Sequence, residues 1–119
     1  MTRAARRPFA LAAAAGLVAF GAGCGGGGTS SGTHTGPPLT PEQQHGKTVF
    51  VQSCGSCHKL SDAGTEGTVG KNLDVTSPSY ALVLRTLAVP PQNMPSNLVT
   101  NAADAKAVAA YIAAVTKAR

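Results

Sequence analysis

Apolar residues recur at helical spacing from residue 40 onwards, and this pattern predicts three helices. The first predicted helix begins after Thr40, which suits the N-cap position, and Pro41 suits the first turn. Gln43 completes a capping box with Thr40, in which each side chain pairs with the other residue's backbone N–H. We expect this helix to run toward Ser53.

The second and third predicted helices each carry an apolar stripe. The second is expected from about Pro78, with Ser77 as its N-cap, and the prolines that follow it end the helix. The third is expected over about 101–117. The segment from Lys59 to Val75 is rich in glycine and shows no periodic pattern, so we expect a loop there. The stripe residues are Tyr80, Val83, Leu84 and Leu87 in the second helix, and Val108, Tyr111, Ile112 and Val115 in the third.

The first 39 residues do not have the composition of a folded domain. Residues 1–23 combine a basic start, an uncharged apolar run and small residues, which is the pattern of an export signal. The apolar run is shorter than the ~20 residues that a membrane-spanning helix needs, although a retained membrane anchor is the alternative. Residues 24–39, rich in Gly, Ser and Thr, predict a flexible tether. The folded domain is therefore expected at 40–119.

Cys24 stands at the junction between signal and tether. Small residues before it and a glycine tract after it resemble a bacterial lipoprotein signal, in which the cysteine carries the lipid. Gly21 departs from that pattern, which prefers leucine three residues before the cysteine. We expect lipidation of Cys24 and association with the outer, periplasmic face of the cytoplasmic membrane. Ordinary cleavage that leaves a free thiol, or removes it, is the alternative.

The net charge gives no reason to expect a nucleic-acid partner. Three of the 10 basic residues lie in the signal, which leaves 7 against 5 acidic residues in the remaining chain. Nucleic-acid binding usually needs a strongly basic patch, and a charge of this size does not supply one.

The segment Cys54-Gly55-Ser56-Cys57-His58 carries the chemistry of the chain. Two cysteines three apart and a histidine directly after the second are the pattern of covalent haem attachment. A step of three residues on a helical turn brings both sulfurs to one side, where each can form a thioether with a haem vinyl group. The imidazole of His58 can then bind the iron. We expect one haem c per chain, with Cys54 and Cys57 as attachment residues and His58 as the proximal ligand.

Other uses of two such cysteines fit the sequence less well. A thioredoxin-like site would need a strand before the motif and a βαβ pattern around it. A structural zinc site needs four ligands, and these three residues have no second Cys/His pair downstream. A plain disulfide between Cys54 and Cys57 would leave His58 without a role.

Met94 is the candidate for the distal iron ligand. It is the only methionine besides the initiator, and it stands in a proline-flanked segment, 90–95, whose prolines limit the freedom of the loop. His/Met ligation is one of the arrangements known for haem iron and raises the reduction potential. A methionine that fills a core gap is the alternative. His45 is a competing ligand, but we expect it at the surface.

Together these features resemble a small class I cytochrome c, the monohaem bacterial type, over about Thr40 to Lys117. The resemblance implies an all-α fold with three main helices around a covalently bound haem. It also implies that the first and last helices cross at Gly46, with Phe50 and Tyr111 packed at the crossing. The matching residues are Gly46, Phe50, the Cys54–His58 motif, Gly70-Lys71-Asn72-Leu73, Met94-Pro95 and Ala110-Tyr111-Ile112.

One position departs from that family. The family usually has Gly-Pro-x-Leu where this chain has Gly70-Lys71-Asn72-Leu73. The family proline's carbonyl commonly accepts a hydrogen bond from the proximal histidine, which sets the orientation and basicity of the imidazole. Lys71 still has a carbonyl, so we expect the bond to survive in a looser loop.

The resemblance implies an electron-transfer protein and not an enzyme, because two filled axial positions leave no open site on the iron. Its partners would be redox proteins outside the cytoplasmic membrane, one an electron donor and one an acceptor. Three alternatives remain: a haem-bearing subunit of a larger oxidase or dehydrogenase complex, a haem-based sensor, and an exported thiol–disulfide oxidoreductase that uses Cys54 and Cys57.

Overall fold

The computed structural model describes residues 36–117, and this part of the chain is mostly helical with one small sheet. The predicted signal, Cys24 and most of the predicted tether lie outside the described residues. In chain order the elements are α1 (Pro41–Ser53), β1 (Lys59–Leu60), a 3₁₀ turn (Ser61–Ala63), β2 (Thr65–Glu66), α2 (Leu73–Thr76), α3 (Tyr80–Ala88) and α4 (Ala102–Lys117). The two strands pair antiparallel, with Leu60 opposite Thr65. Within residues 36–117, no helix is both long and apolar enough to cross a membrane.

Helix α1 begins and ends where the sequence predicts. The Thr40 side chain accepts a hydrogen bond from the Gln43 backbone N–H at 3.3 Å, and the Gln43 side chain accepts one from the Thr40 N–H at 2.9 Å. This capping box satisfies two backbone donors at the start of the helix. The helix ends at Ser53, so Cys54 is its C-cap.

Helices α1 and α4 cross in close contact and form the centre of the core. Gly46 lies directly against the backbone of Ala107, where no side chain would fit. The rings of Phe50 and Tyr111 meet at this crossing, with centroids 6.1 Å apart and planes inclined by 59°. The predicted apolar face of the last helix is confirmed, because Val108, Tyr111, Ile112 and Val115 are all buried.

The region between α1 and α3 has more structure than the sequence indicates. The predicted loop over 59–75 contains the β-hairpin, the 3₁₀ turn and α2. Helix α2 is a single turn that Asn72 caps, since its side chain accepts a hydrogen bond from the Asp74 N–H at 3.0 Å. These elements are too short for periodicity to reveal them.

The predicted start of the second long helix was wrong by two residues. Ser77 is the C-cap of α2, and its backbone is left-handed, with φ of 41°. Ser79 is the N-cap of α3, and its hydroxyl accepts a hydrogen bond from the Leu82 N–H at 3.2 Å. Both serines flank Pro78 and both are good caps, so local preference does not separate them.

A buried polar cluster connects the hairpin region to α1 and α4. Asp62, in the 3₁₀ turn, is 2% exposed. Its Oδ1 accepts a hydrogen bond from the Tyr111 hydroxyl at 2.6 Å and lies 3.2 Å from Lys47 Nζ. Burial raises the pKa of the Tyr111 phenol well above its ordinary value, and the hydrogen bond to Asp62 raises it further. The members of this cluster are far apart in the chain, so no local sequence pattern indicates it.

Candidate haem-binding site

The residues Cys54–His58 form one tight turn at the end of α1, which we call the attachment turn. The Cys54 carbonyl accepts hydrogen bonds from the N–H groups of Cys57 at 3.1 Å and His58 at 2.9 Å. This turn brings both cysteines and the histidine to the wall of one cavity. Both thiols are free, with Cys54 buried and Cys57 half-buried.

His58 is held at three of its four polar groups. Its N–H is bonded to Cys54, and its backbone carbonyl accepts a hydrogen bond from Thr65 Oγ1 at 2.9 Å. Its Nδ1 lies 2.9 Å from the Lys71 carbonyl oxygen. A carbonyl only accepts, so Nδ1 carries the proton and Nε2 presents its lone pair. Within residues 36–117 no hydrogen bond occupies Nε2, so this atom is the one left to bind a metal.

The bond to Lys71 confirms the expectation that this carbonyl serves in place of the family proline's. Two glycines let the segment that carries Lys71 pass close enough to His58 for this hydrogen bond to form. A side chain at Gly70 would overlap the His58 ring, and a side chain at Gly67 would overlap the backbone between Cys57 and His58. The Gly70 N–H also donates to the Cys57 carbonyl at 2.7 Å. The segment 67–71 is therefore pressed against the attachment turn.

The cavity beside the attachment turn has a volume of about 970 Å³, near the upper end of the range usual for ligand pockets. Its walls are mainly apolar and come from α1, α3, α4 and the loop that joins α3 to α4. Representative wall residues are Phe50, Val83, Leu87, Leu98, Val108 and Ile112. A large apolar space with two thiols and an imidazole at its edge fits a covalently attached haem, since each group has the chemistry that this cofactor needs.

Met94 lines the same cavity as His58 and the two cysteines. It lies in the loop between α3 and α4, in a turn closed by its N–H, which donates to the Pro91 carbonyl at 2.9 Å. The fold thus brings together all four residues that the sequence assigned to the haem and its iron. His45 is elsewhere: it does not line this cavity, and its side chain is 56% exposed and pairs with Asp104 at 2.7 Å. The expectation of a surface histidine is confirmed.

The environment of the cysteines does not favour thiol–disulfide chemistry. Burial raises the pKa of the Cys54 thiol to about 11, and the neighbouring Cys57 adds to the effect. A redox-active dithiol usually has a lowered pKa instead, because the thiolate is the nucleophile. In the described residues the motif follows a helix, and both strands come after it. Over residues 36–117, no group of three or more His, Cys, Asp or Glu side chains is placed to hold a metal ion.

The fold and the site define a small, mostly helical domain with two cysteines and a histidine on one turn at the wall of an apolar cavity. The structure is similar to the crystal structure of the c-type cytochrome SorU from Sinorhizobium meliloti, with a TM-score of 0.60 and 32% sequence identity. The match covers 63% of this chain and 91% of SorU. No protein-family model matches the chain, and no curated protein matches it. The chain belongs to the c-type cytochromes.

Proposed function

We propose that this chain is a class I monohaem cytochrome c that transfers single electrons and has no enzymatic activity. The observation that carries the proposal is the convergence of Cys54, Cys57, His58 and Met94 on one apolar cavity in a c-type cytochrome. When bound, haem c supplies an iron that gains and loses one electron.

Each residue at the attachment turn has a distinct role in this proposal. Cys54 and Cys57 hold the haem through thioethers, and His58 binds the iron through Nε2. The Lys71 carbonyl keeps the proton on Nδ1, which orients the imidazole and raises its basicity as a ligand. The hydrogen bonds at the N–H and the carbonyl of His58 would hold its backbone in place for binding the iron.

Met94 is the distal ligand in this proposal. Support comes from its place on the cavity wall and from the turn that restrains it between Pro91 and Pro95. A restrained loop lowers the entropy lost when the thioether binds iron. With His58 and Met94 both bound, no open coordination position remains for a substrate, which is why we propose electron transfer in preference to catalysis.

We further propose that the domain works outside the cytoplasmic membrane, anchored by a lipid on Cys24. The support is the sequence pattern of residues 1–23 and the Gly/Ser/Thr-rich segment at 24–39. Sixteen tether residues reach roughly 55 Å at full extension. Its partners would be a redox donor and a redox acceptor, contacted through a small and transient interface. Co-purification with a larger oxidase or dehydrogenase would instead indicate a fixed subunit.

Haem staining of the denatured protein tests covalent attachment, because only haem bound through thioethers stays with an unfolded chain. The chain should be produced in a host that forms such linkages. The wild type should stain, and the double variant Cys54→Ala/Cys57→Ala should not. Cys24→Ala is the matched control, since it removes the third cysteine and should keep the stain. A wild-type protein that does not stain would overturn the proposal.

The spectrum of Met94→Ala tests the distal ligand. Removal of the thioether should convert the ferric iron to a high-spin or labile six-coordinate form and lower the reduction potential. Leu98→Ala is the control, because it also shortens a side chain on the cavity wall but removes no sulfur. If Met94→Ala has the same low-spin spectrum as the wild type, Met94 does not bind the iron.

A further inference from the structure

Thr65 lies on the short strand β2, and its side chain packs against the attachment turn. Its hydroxyl donates a hydrogen bond to the His58 carbonyl at 2.9 Å and accepts one from the Leu60 N–H at 3.1 Å. One hydroxyl therefore joins the residue at the iron site to the hairpin that follows it. Thr65 is half-buried, so these bonds are partly shielded from water.

The methyl group of Thr65 makes a separate contact with the same turn. A Cβ added at Gly55 would lie 2.6 Å from Thr65 Cγ2, so the methyl fills the space beside the glycine. The register of the hairpin, with Leu60 opposite Thr65, fixes the position of this side chain. Thr65 thus contacts the attachment turn at two points, one polar at His58 and one apolar at Gly55.

We propose that Thr65 is a positioning residue for His58 and helps to set the plane of its imidazole against the haem. This inference rests on the proposed function, because it requires iron bound at His58 Nε2. The N–H, the carbonyl and Nδ1 of His58 are held by Cys54, Thr65 and Lys71 respectively. Cys54 and Lys71 act through backbone carbonyls, so Thr65 provides the one side chain among these three restraints.

The chemistry of threonine makes the two contacts separable by substitution. Thr65→Val keeps the shape and removes the hydroxyl, which leaves the His58 carbonyl and the Leu60 N–H without this partner. Thr65→Ser keeps the hydroxyl and removes the methyl. If the hydrogen bond positions His58, the valine variant should change the iron site and the serine variant should restore it.

The experiment uses the haem-loaded full chain and two kinds of readout, namely the spectra and the reduction potential. The ferric electron paramagnetic resonance spectrum and the haem methyl shifts in proton NMR respond to the orientation of the imidazole plane. An equilibrium redox titration gives the reduction potential. We expect Thr65→Val to shift both readouts and Thr65→Ser to remain close to the wild type.

Thr48→Val is the matched control. Thr48 also donates to a backbone carbonyl, that of Gln44 at 3.3 Å, but it lies on the exposed side of α1. The Thr48→Val substitution should leave the spectra and the reduction potential unchanged. If Thr65→Val does not accumulate with haem, the same comparison is made between Thr65→Ala and Thr65→Ser.

Two results would overturn the inference. One is a variant without the hydroxyl that keeps the wild-type spectra and potential; the other is a Thr65→Ser protein that shifts as far as Thr65→Val. Haem staining of each variant separates these outcomes from a failure of the proposed function. A variant that stains but has unaltered spectra refutes only the role of Thr65, whereas a wild type that does not stain refutes the haem protein itself.

Discussion

Gly46→Ala is the sharpest test of the helix crossing on which the apolar cavity depends. The added Cβ would lie 2.9 Å from the Val108 backbone nitrogen and closer still to the Ala107 carbonyl group. These atoms belong to the backbone of α4 and cannot rotate away as a side chain would. The helices must therefore move apart to admit one methyl group.

The size of the effect follows from two opposing terms. Ordinary contacts to carbon are about 3.5 Å or longer, so the Val108 contact alone requires a separation of roughly 0.6 Å, and the closer Ala107 carbonyl group requires more. Such overpacking usually costs about 1–3 kcal/mol, and rigid backbone atoms place this site near the upper end. Alanine regains about 1 kcal/mol over glycine within a helix. We expect a net loss of about 2 kcal/mol, or roughly 8–16 °C in Tm for a domain of this size.

The measurement is guanidinium chloride unfolding of the ferric haem-bound protein, followed by far-ultraviolet circular dichroism. Gln52→Ala, on the exposed side of the same helix, is the control and should stay within about 0.5 kcal/mol of the wild type. Gly64→Ala is a useful contrast. Gly64 has φ of 66° and no neighbouring atoms within 4 Å of an added Cβ, so its cost of about 1–2 kcal/mol would come from the backbone conformation alone.

A Gly46→Ala protein as stable as the wild type, or more stable, would refute this reasoning. It would mean that helix propensity outweighs the contact and that α1 and α4 do not meet at backbone distance. The same variant should also lose part of the contact between Phe50 and Tyr111, since both rings pack at the crossing.

Two further predictions concern Tyr111 and Cys24. The pKa of Tyr111 is raised in the folded protein, by burial first and then by Asp62, whereas the unfolded phenol titrates at about pH 10. The stability from this group is therefore complete below pH ~10 and falls as the pH rises above it. Tyr111→Phe should lower stability at neutral pH by about 1–3 kcal/mol and flatten the alkaline loss, with Tyr80→Phe as the exposed control; an unchanged alkaline slope would contradict this. Cys24→Ala should release the protein from membranes into the soluble fraction, and continued membrane association would indicate a retained helix in place of a lipid.

Local signals in the sequence were enough to place α1 and the attachment turn. Both signals depend only on residues three or four positions apart, so the local sequence specifies them fully. They are the capping box at Thr40 and the spacing of Cys54, Cys57 and His58. The buried face of α4 could be predicted equally well, because apolar residues recur on that face at every turn of the helix.

Local sequence patterns could not predict the hairpin, α2 and the start of α3. Two-residue strands are too short to show alternation, and either serine beside Pro78 could cap a helix. Asp62 illustrates the difficulty at single-residue scale. Its partners, Lys47 and Tyr111, come from two different helices, and nothing in its immediate sequence distinguishes it from a surface aspartate.

The sequence by itself determined which residues the proposed chemistry rests on, the thiols of Cys54 and Cys57 and the imidazole of His58, and where the helix that leads to them begins. Only the tertiary structure decided how His58 is held, because its restraints at Thr65 and Lys71 come from residues that folding brings into contact. It also decided that Met94 reaches the same cavity. The physical reason is range, since capping and motif spacing act between neighbours, whereas ligand orientation and cavity shape depend on contacts that close only when α1, the hairpin and α4 pack together.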